Sequence, residues 1–223
     1  YVDWLLDPSG TEADAGIYLR GTPQVQLWDT ARVRVGAQVR SGGLYNNQVH
    51  PSKPLKVAAN TLGEWNTMYI KMVGDRVTVV LNGELVTDNV IRENFWDRKL
   101  PIFPVEQLEL QAHGSKVYYR NMYVKELERK EPFQLSAEEK KEGYKILFDG
   151  TNMHEWIGNT VDYTMVDGAI SLDPSQSFGG NLYTKDEYGN FIFRFEFQLT
   201  PGANNGLGIR TPMGGDAAYT GME

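Results

Sequence analysis

Two short runs near opposite ends of the chain repeat one pattern: small and turn residues, then an apolar stretch that closes on arginine. Residues 13–20 read Ala-Asp-Ala-Gly-Ile-Tyr-Leu-Arg, and residues 203–210 read Ala-Asn-Asn-Gly-Leu-Gly-Ile-Arg, 190 positions later. Each copy follows a Pro/Gly turn, Asp7-Pro8-Ser9-Gly10 or Thr200-Pro201-Gly202, and before it an aromatic-rich strand pattern, Val2 to Leu6 or Phe191 to Leu199. So distant a repeat, with both copies hard against the ends, suggests a chain cut from a tandem array, out of phase with the repeat. The front then holds the later part of one unit and the back the earlier part of the next. Either the two parts pair as one permuted domain, within a chain or swapped between chains, or each unit is incomplete.

The rest of the chain is overwhelmingly strand and turn. Asn66 to Val73 alternates around Met68, Ile70 and Met72, Gly74-Asp75 turns the chain, and Arg76 to Leu81 is β-branched. Asn82-Gly83 then precedes Glu84 to Thr87, the strongest short hairpin signal, because both turn residues need positive φ. Gln107 to His113, Gly114-Ser115 and Val117 to Lys125 read as another hairpin. Further strands are expected at 144–148, 163–166, 168–172, 181–184 and 190–199. Short strands at this spacing predict an all-β sandwich or jelly roll. Residues 31–63 show little periodicity and form a long loop, a length that is often functional.

Residues 128–143 break the pattern. They are charged and hold one convincing helix start, Ser136 with Glu139 three residues on, a capping box. The expected organisation is 1–127 as the later part of a first domain, 128–143 as a linker with one short helix, and 144–223 as the earlier part of a second domain.

Composition narrows the function. A net charge of −7 and a pI near 5.1 argue against nucleic acid, whose binding needs a basic stripe. No apolar run approaches the roughly 18 residues that a membrane helix needs. The absence of cysteine excludes disulfides, thiolate catalysis and Cys-based zinc sites, and does not choose between cytoplasm and periplasm. No phosphate-binding glycine loop, nucleophile elbow or paired-histidine zinc motif is present.

Strand alternation sorts the side chains onto faces. Ile17 and Leu19 face one way, Tyr18 and Arg20 the other. Val25 and Leu27 pack, while Gln24, Gln26 and Trp28 face away. Leu108, Leu110 and Ala112 pack, while Gln107, Glu109, Gln111 and His113 face away. The polar faces thus carry Arg, Gln, Trp, Tyr, Glu and His, with lysine nearly absent. A merely solvated face would be rich in lysine. Planar amides and arginine suit sugar hydroxyls, and aromatic rings suit C–H faces.

His113 shares its strand face with Glu109 and Gln111, so an imidazole near neutral pH stands beside a carboxylate, a pairing fit for acid–base work. A lone histidine is more often structural, and His50 and His154 fall in loops and stay ambiguous. Glu64 could be a base or could bond its own turn. Asp149-Gly150-Thr151 and Lys185-Asp186-Glu187-Tyr188 read as turns, and Trp156 as packing.

The ordered motifs together resemble the 3-keto-disaccharide hydrolase domain family (3-keto-glucoside 1,2-lyase / 3-keto-2-hydroxy-glucal hydratase). Its amino-terminal part is matched by Leu147-Phe148-Asp149-Gly150-Thr151, Trp156, Val166-Asp167-Gly168 and Leu182 to Phe191. Its remaining part is matched by Gly16 to Arg20, Val25 to Asp29, Gly43-Leu44-Tyr45, Gly63 to Asn66, Leu81-Asn82-Gly83, Leu110 to Gly114 and Val117 to Leu127. The chain departs from the family in order, since these two parts stand reversed. It also departs at Ala112, where an acidic or polar residue is common. The resemblance implies a concanavalin A-like jelly roll, a bacterial protein of the periplasm or secreted, and a small sugar or glycoside substrate. A partner oxidoreductase would supply the 3-keto sugar, and a homo-oligomer or strand-swapped pair would fit. A divalent metal ion stays open, with no other cofactor implied.

The implied chemistry is coherent. A ketone at C3 acidifies the proton on C2, a base removes it, and the aglycone leaves from C1 with help from an acid. Water then adds across the double bond, for net hydrolysis. Strand phase offers His113 and Glu109 as base and acid, in either order, and Arg20 as donor to the enolate or hydroxyls. Tyr18, Gln24, Gln26, Trp28, Tyr45 and Gln111 are the binding candidates, with Arg210 at the place of Arg20 in the second copy. The alternative is a non-catalytic carbohydrate-binding jelly roll, and a weaker third is a purely structural repeat. Convergence of Arg20, Glu109 and His113 in one pocket would favour the enzyme.

Overall fold

The computed structural model describes the chain except residues 11–12, 33–39, 112, 129, 174 and 176–178, and except the side chains of Thr22 and Pro23. Ala112 and part of the 31–63 loop therefore lie outside the described residues.

The chain is nearly all β. Two antiparallel sheets carry the core. One comprises β1 (Val2–Leu6), β4 (Asn66–Val73), β5 (Arg76–Leu81), β6 (Glu84–Ile91) and β8 (Val117–Arg120), in the order β6-β5-β4-β1-β8. The other comprises β2 (Asp14–Leu19), β3 (Thr22–Trp28) and β7 (Leu108–Leu110), in the order β3-β2-β7, and a bridge from Val25 to Leu44 extends it past β3. Period-2 alternation explains why these segments are strands with one buried face. Val77, Val79 and Leu81 of β5 are fully buried, and Val2, Trp4 and Leu6 of β1 are buried. They meet Ala15, Ile17 and Leu19 of β2 and Val25 and Leu27 of β3 in a single apolar cluster. The result is a jelly-roll-like sandwich.

Local signals landed where expected. Asn82 and Gly83 have φ of 51° and 84° between β5 and β6. Helix α1 (Ala137–Lys141) starts at the expected box: Ser136 Oγ accepts from the Glu139 amide, and Glu139 accepts from the Ser136 amide.

Three expectations need correction. Residues 107–125 are not a hairpin. β7 pairs with β2 while β8 pairs with β1, so the turn between them crosses from one sheet to the other. The β1–β2 connection makes the same crossing alongside it, with the Asp7 amide bonded to Lys116 O. Leu108 and Leu110 do not pack but stand 60% and 46% exposed, because β7 is a three-residue edge strand. The segments 144–148 and 190–199 form no strand, since among the described residues no backbone forms a ladder with them.

Beyond the linker, β9 (Trp156–Gly158) pairs with β12 (Leu182–Thr184), and β10 (Tyr163–Val166) pairs with β11 (Ala169–Leu172). A short helix α2 (Ala217–Thr220) lies near the end. Among the described residues, no sheet combines strands from 1–127 and 144–223. The two parts do touch: the Gly158 amide donates to Lys99 O at 2.7 Å, and the Phe103 and His154 rings lie 6.4 Å apart.

Candidate functional site

The outer face of the second sheet gathers most of the sequence-derived candidates. In the β2–β7 ladder Tyr18 stands opposite Glu109, and directly opposed residues share a face. Gln111 follows on that face, its side-chain amide 3.5 Å from the Tyr18 hydroxyl. Across the other ladder, Gly16 opposes Gln26 and Asp14 opposes Trp28. Gln24 lies over Gly16 so closely that a Cβ there would sit 2.2 Å from its Cγ. Glycine at 16 is therefore what lets Gln24 lie flat on the sheet. Gln24 and Gln26 are both buried, and Gln26 Oε1 accepts from the Arg40 amide at 3.1 Å.

Tyr45 reaches the same neighbourhood from the loop beyond β3, its amide donating to Gln24 O at 3.1 Å. The Tyr18 hydroxyl is pushed up above the usual tyrosine range. Burial is the main cause, with the charges of Glu109 and Tyr45 adding and the Gln111 hydrogen bond opposing. A phenol held neutral in this way donates a hydrogen bond across the whole working pH range.

His113 lies at the open end of this face, with Nδ1 3.9 Å from Asp14 Oδ2 and its side chain 46% exposed. Glu109 is exposed as well. Trp28 is committed elsewhere: its indole N–H donates to Arg32 O at 2.9 Å, and the Arg32 guanidinium covers its ring at 4.2 Å.

Two candidates stand apart. Arg20 falls after the end of β2, in a turn with φ 52°, so strand alternation no longer sets its direction. Its guanidinium donates to Gly74 O and to Pro104 O, at the rim shared with the first sheet. Arg210 is exposed and remote, 3.4 Å from Gly189 O. Arg20, Glu109 and His113 thus do not meet in one pocket. Arg20 instead lines a crevice of ≈ 40 Å³ with Asp75, Arg92, Glu93, Arg98 and Thr160. Burial pushes the Asp75 carboxyl up.

The motifs read as turns behave as turns. Glu64 accepts from Thr61 Oγ1, Asp149 accepts from the Thr151 amide, and Lys145 pairs with Asp186. The Trp156 indole donates to Leu147 O.

Sequence reasoning missed Asp14, although alternation places it on one face with Gly16 and Tyr18. It also missed Arg92, Glu93 and Arg98, which no local pattern flags. Arg92 is buried, and that burial lowers its pKa to about 9, with Glu93 opposing the shift. As for metals, no three His, Asp or Glu side chains among the described residues gather at a spacing that could hold an ion. No described helix is long and apolar enough to cross a membrane.

The 3-keto-alpha-glucoside-1,2-lyase-like domain family matches the chain over residues 1–125 and 143–223. Similar solved structures include three from Parabacteroides distasonis ATCC 8503 described as candidate glycosyl hydrolases. The first is 20% identical, covers 54% of this chain and 73% of that one, and has a TM-score of 0.40. A second is 22% identical over 54% of this chain and 67% of that one, with a TM-score of 0.38. The third is 21% identical over 53% of each chain, with a TM-score of 0.34. No curated protein matches.

Proposed function

The chain belongs to the 3-keto-alpha-glucoside-1,2-lyase-like domain family, and from that premise we propose that it cleaves 3-keto-glycosides as a lyase and hydratase. The observation that carries this reading is the single polar face on which Tyr18, Glu109, Gln111 and the Asp14–His113 pair stand beside the buried amides of Gln24 and Gln26.

In the proposed reaction, Glu109 or His113 takes the C2 proton. The C1–C2 double bond forms as the C1–O bond breaks, and the other residue protonates the departing oxygen. Water then returns its oxygen to C1 and a proton to C2. Tyr18 donates to the oxygen that gains charge, which its neutral hydroxyl is suited to do. Arg20 joins this scheme only by releasing Gly74 and Pro104. The substrate needs prior oxidation at C3, so an oxidoreductase acts upstream, and an exported location accords with the family.

A second reading has an observation in its favour. Glu109 and His113 are exposed rather than enclosed, as expected of a carbohydrate-binding face. The two readings separate on turnover. The purified chain is assayed on a 3-keto-glucoside, with and without chelator, beside His113→Ala. We expect turnover that falls by roughly 100-fold or more in the variant, the usual weight of a general acid or base. Unchanged rates would remove His113 from the mechanism, and binding without turnover would leave the non-catalytic reading.

A further inference from the structure

Six consecutive residues, Tyr45 to His50, are all held from one short segment after β6. Arg92 Nη1 donates to Tyr45 O at 3.0 Å and to Asn47 Oδ1 at 2.9 Å. Arg98 Nη2 donates to Asn46 O at 2.5 Å. The Glu93 carboxylate accepts the amides of Gln48, Val49 and His50 at 2.8–3.0 Å. Arg98 Nη1 then closes on Glu93 at 2.6 Å.

Arg92 and Glu93 are almost completely buried, at 2% and 5% exposure. Burying charges strips them of water at a cost that pairing must repay, so an ionic network is a poor way to gain stability alone. What such a network does well is fix one geometry, because every bond in it is directional. Here the geometry fixed is that of a loop with a left-handed residue, Asn46 at φ 63°. The end of that loop is Tyr45, anchored to β3 on its other side through Gln24 O.

Resting on the functional reading above, we propose that Arg92, Glu93 and Arg98 form a clamp whose output is the placement of Tyr45 beside β3 at the sugar-facing surface. They are positioning residues: none needs to touch the substrate. The second part of the chain backs the clamp, with Thr160 Oγ1 3.5 Å from Arg98 O and Gly158 bonded to Lys99 next to it.

The test is a double-mutant cycle in the full chain between Glu93→Gln and Tyr45→Ala, read as kcat/KM on a 3-keto-glucoside. Amide hydrogen exchange at residues 48–50 is measured in parallel. Glu93→Gln should lower kcat/KM by roughly 10- to 100-fold in the Tyr45 background, the range expected when a contact group is misplaced by about an ångström. In the Tyr45→Ala background the further loss should be less than about twofold, because the clamp then has nothing left to place. Exchange at 48–50 should quicken in Glu93→Gln. Arg98→Lys, which keeps the charge and loses the fork, should show the same coupling with a smaller loss and covers the case where Glu93→Gln fails to fold. Additive losses in the cycle, or unchanged exchange, would overturn the clamp. If the unmodified chain binds sugar without turnover, the same cycle is read in binding affinity. If it does neither, the functional reading fails, and the exchange result alone decides whether the clamp holds the loop.

Discussion

β1 and residues 195–199 share one sequence pattern and meet opposite fates. Each runs into a Pro/Gly turn, so Leu6 corresponds to Leu199, Trp4 to Phe197 and Val2 to Phe195. In β1 these side chains are 2%, 1% and 7% exposed, and in the later copy 47%, 75% and 51%. β1 has β4 on one side and β8 on the other. Among the described residues the later stretch has no paired strand, and its rings lie along one another instead, Phe193 on Phe195 at 4.8 Å and Phe195 near Phe197 at 6.0 Å. Alternating apolar residues are a capacity for strand formation, realised only where neighbouring backbone takes up the amides and carbonyls. Turn geometry needs no such neighbour. Arg20 and Arg210, at matching places in the repeat, both adopt positive φ, 52° and 58°.

The sharpest way to break this comparison is to truncate the same place twice. Trp4→Ala should cost about 3–5 kcal/mol, the usual range for emptying a large buried site. Phe197→Ala should stay within about 0.5 kcal/mol, as for surface changes. Urea unfolding followed by far-UV circular dichroism measures both. A Phe197→Ala cost approaching that of Trp4→Ala would show that the later copy is buried against a strand in solution.

A smaller contrast sits at the two repeated glycines. A Cβ at Gly16 would strike the buried stem of Gln24, whereas one at Gly206 would strike the carboxylate end of Glu223 at 2.1 Å. A flexible side-chain end can move and a packed stem cannot. Gly16→Ala should therefore cost about 1–3 kcal/mol, as for overpacking, and should weaken sugar binding by displacing Gln24. Gly206→Ala should be close to neutral. Equal melting temperatures for the two variants would refute the close packing of Gln24 on the sheet.

What the sequence made legible follows the same division between local and non-local. The Asn82-Gly83 turn and the Ser136–Glu139 box could be read because their physics closes within four residues. The polar face of Tyr18, Gln24 and Gln26 could be read because alternation holds inside a strand. Arg20 shows the limit of that rule: alternation ends with β2 at Leu19, and one residue later a left-handed turn redirects the side chain. The crossing of 107–125 between sheets was not legible, since Gly114-Ser115 can serve a hairpin or a crossover and only the partners of β7 and β8 decide. Nor was the Arg92–Glu93–Arg98 network, whose targets lie some 45 residues away in sequence and carry no pattern of their own.

The finest contrast is electrostatic. Asp3, on the outer face of β1, ties three strands together. It accepts from Thr67 Oγ1 on β4 and from Asn121 Nδ2 just past β8, both at 2.8 Å, and pairs with Arg120 at 3.4 Å. These bonds, the one from Asn121 foremost, hold its carboxyl below the usual aspartate range. A carboxyl whose folded pKa is depressed binds fewer protons folded than unfolded. Its stabilisation is then fully present above the unfolded pKa, about 4, and is lost as pH falls through the folded value. Asp3→Asn should therefore lower stability at pH 7, and the gap to the unmodified chain should close as the pH drops below about 4. Glu196, the acid at the matching place of the later stretch, is exposed, and among the described residues no strand pairs beside it. Glu196→Gln should leave the unfolding curve unchanged across the same range. Chemical denaturation at a series of pH values reads both variants. A constant gap for Asp3→Asn down to pH 2 would mean that its bonds act through shape alone, and a pH-dependent gap for Glu196→Gln would place that residue in a paired strand.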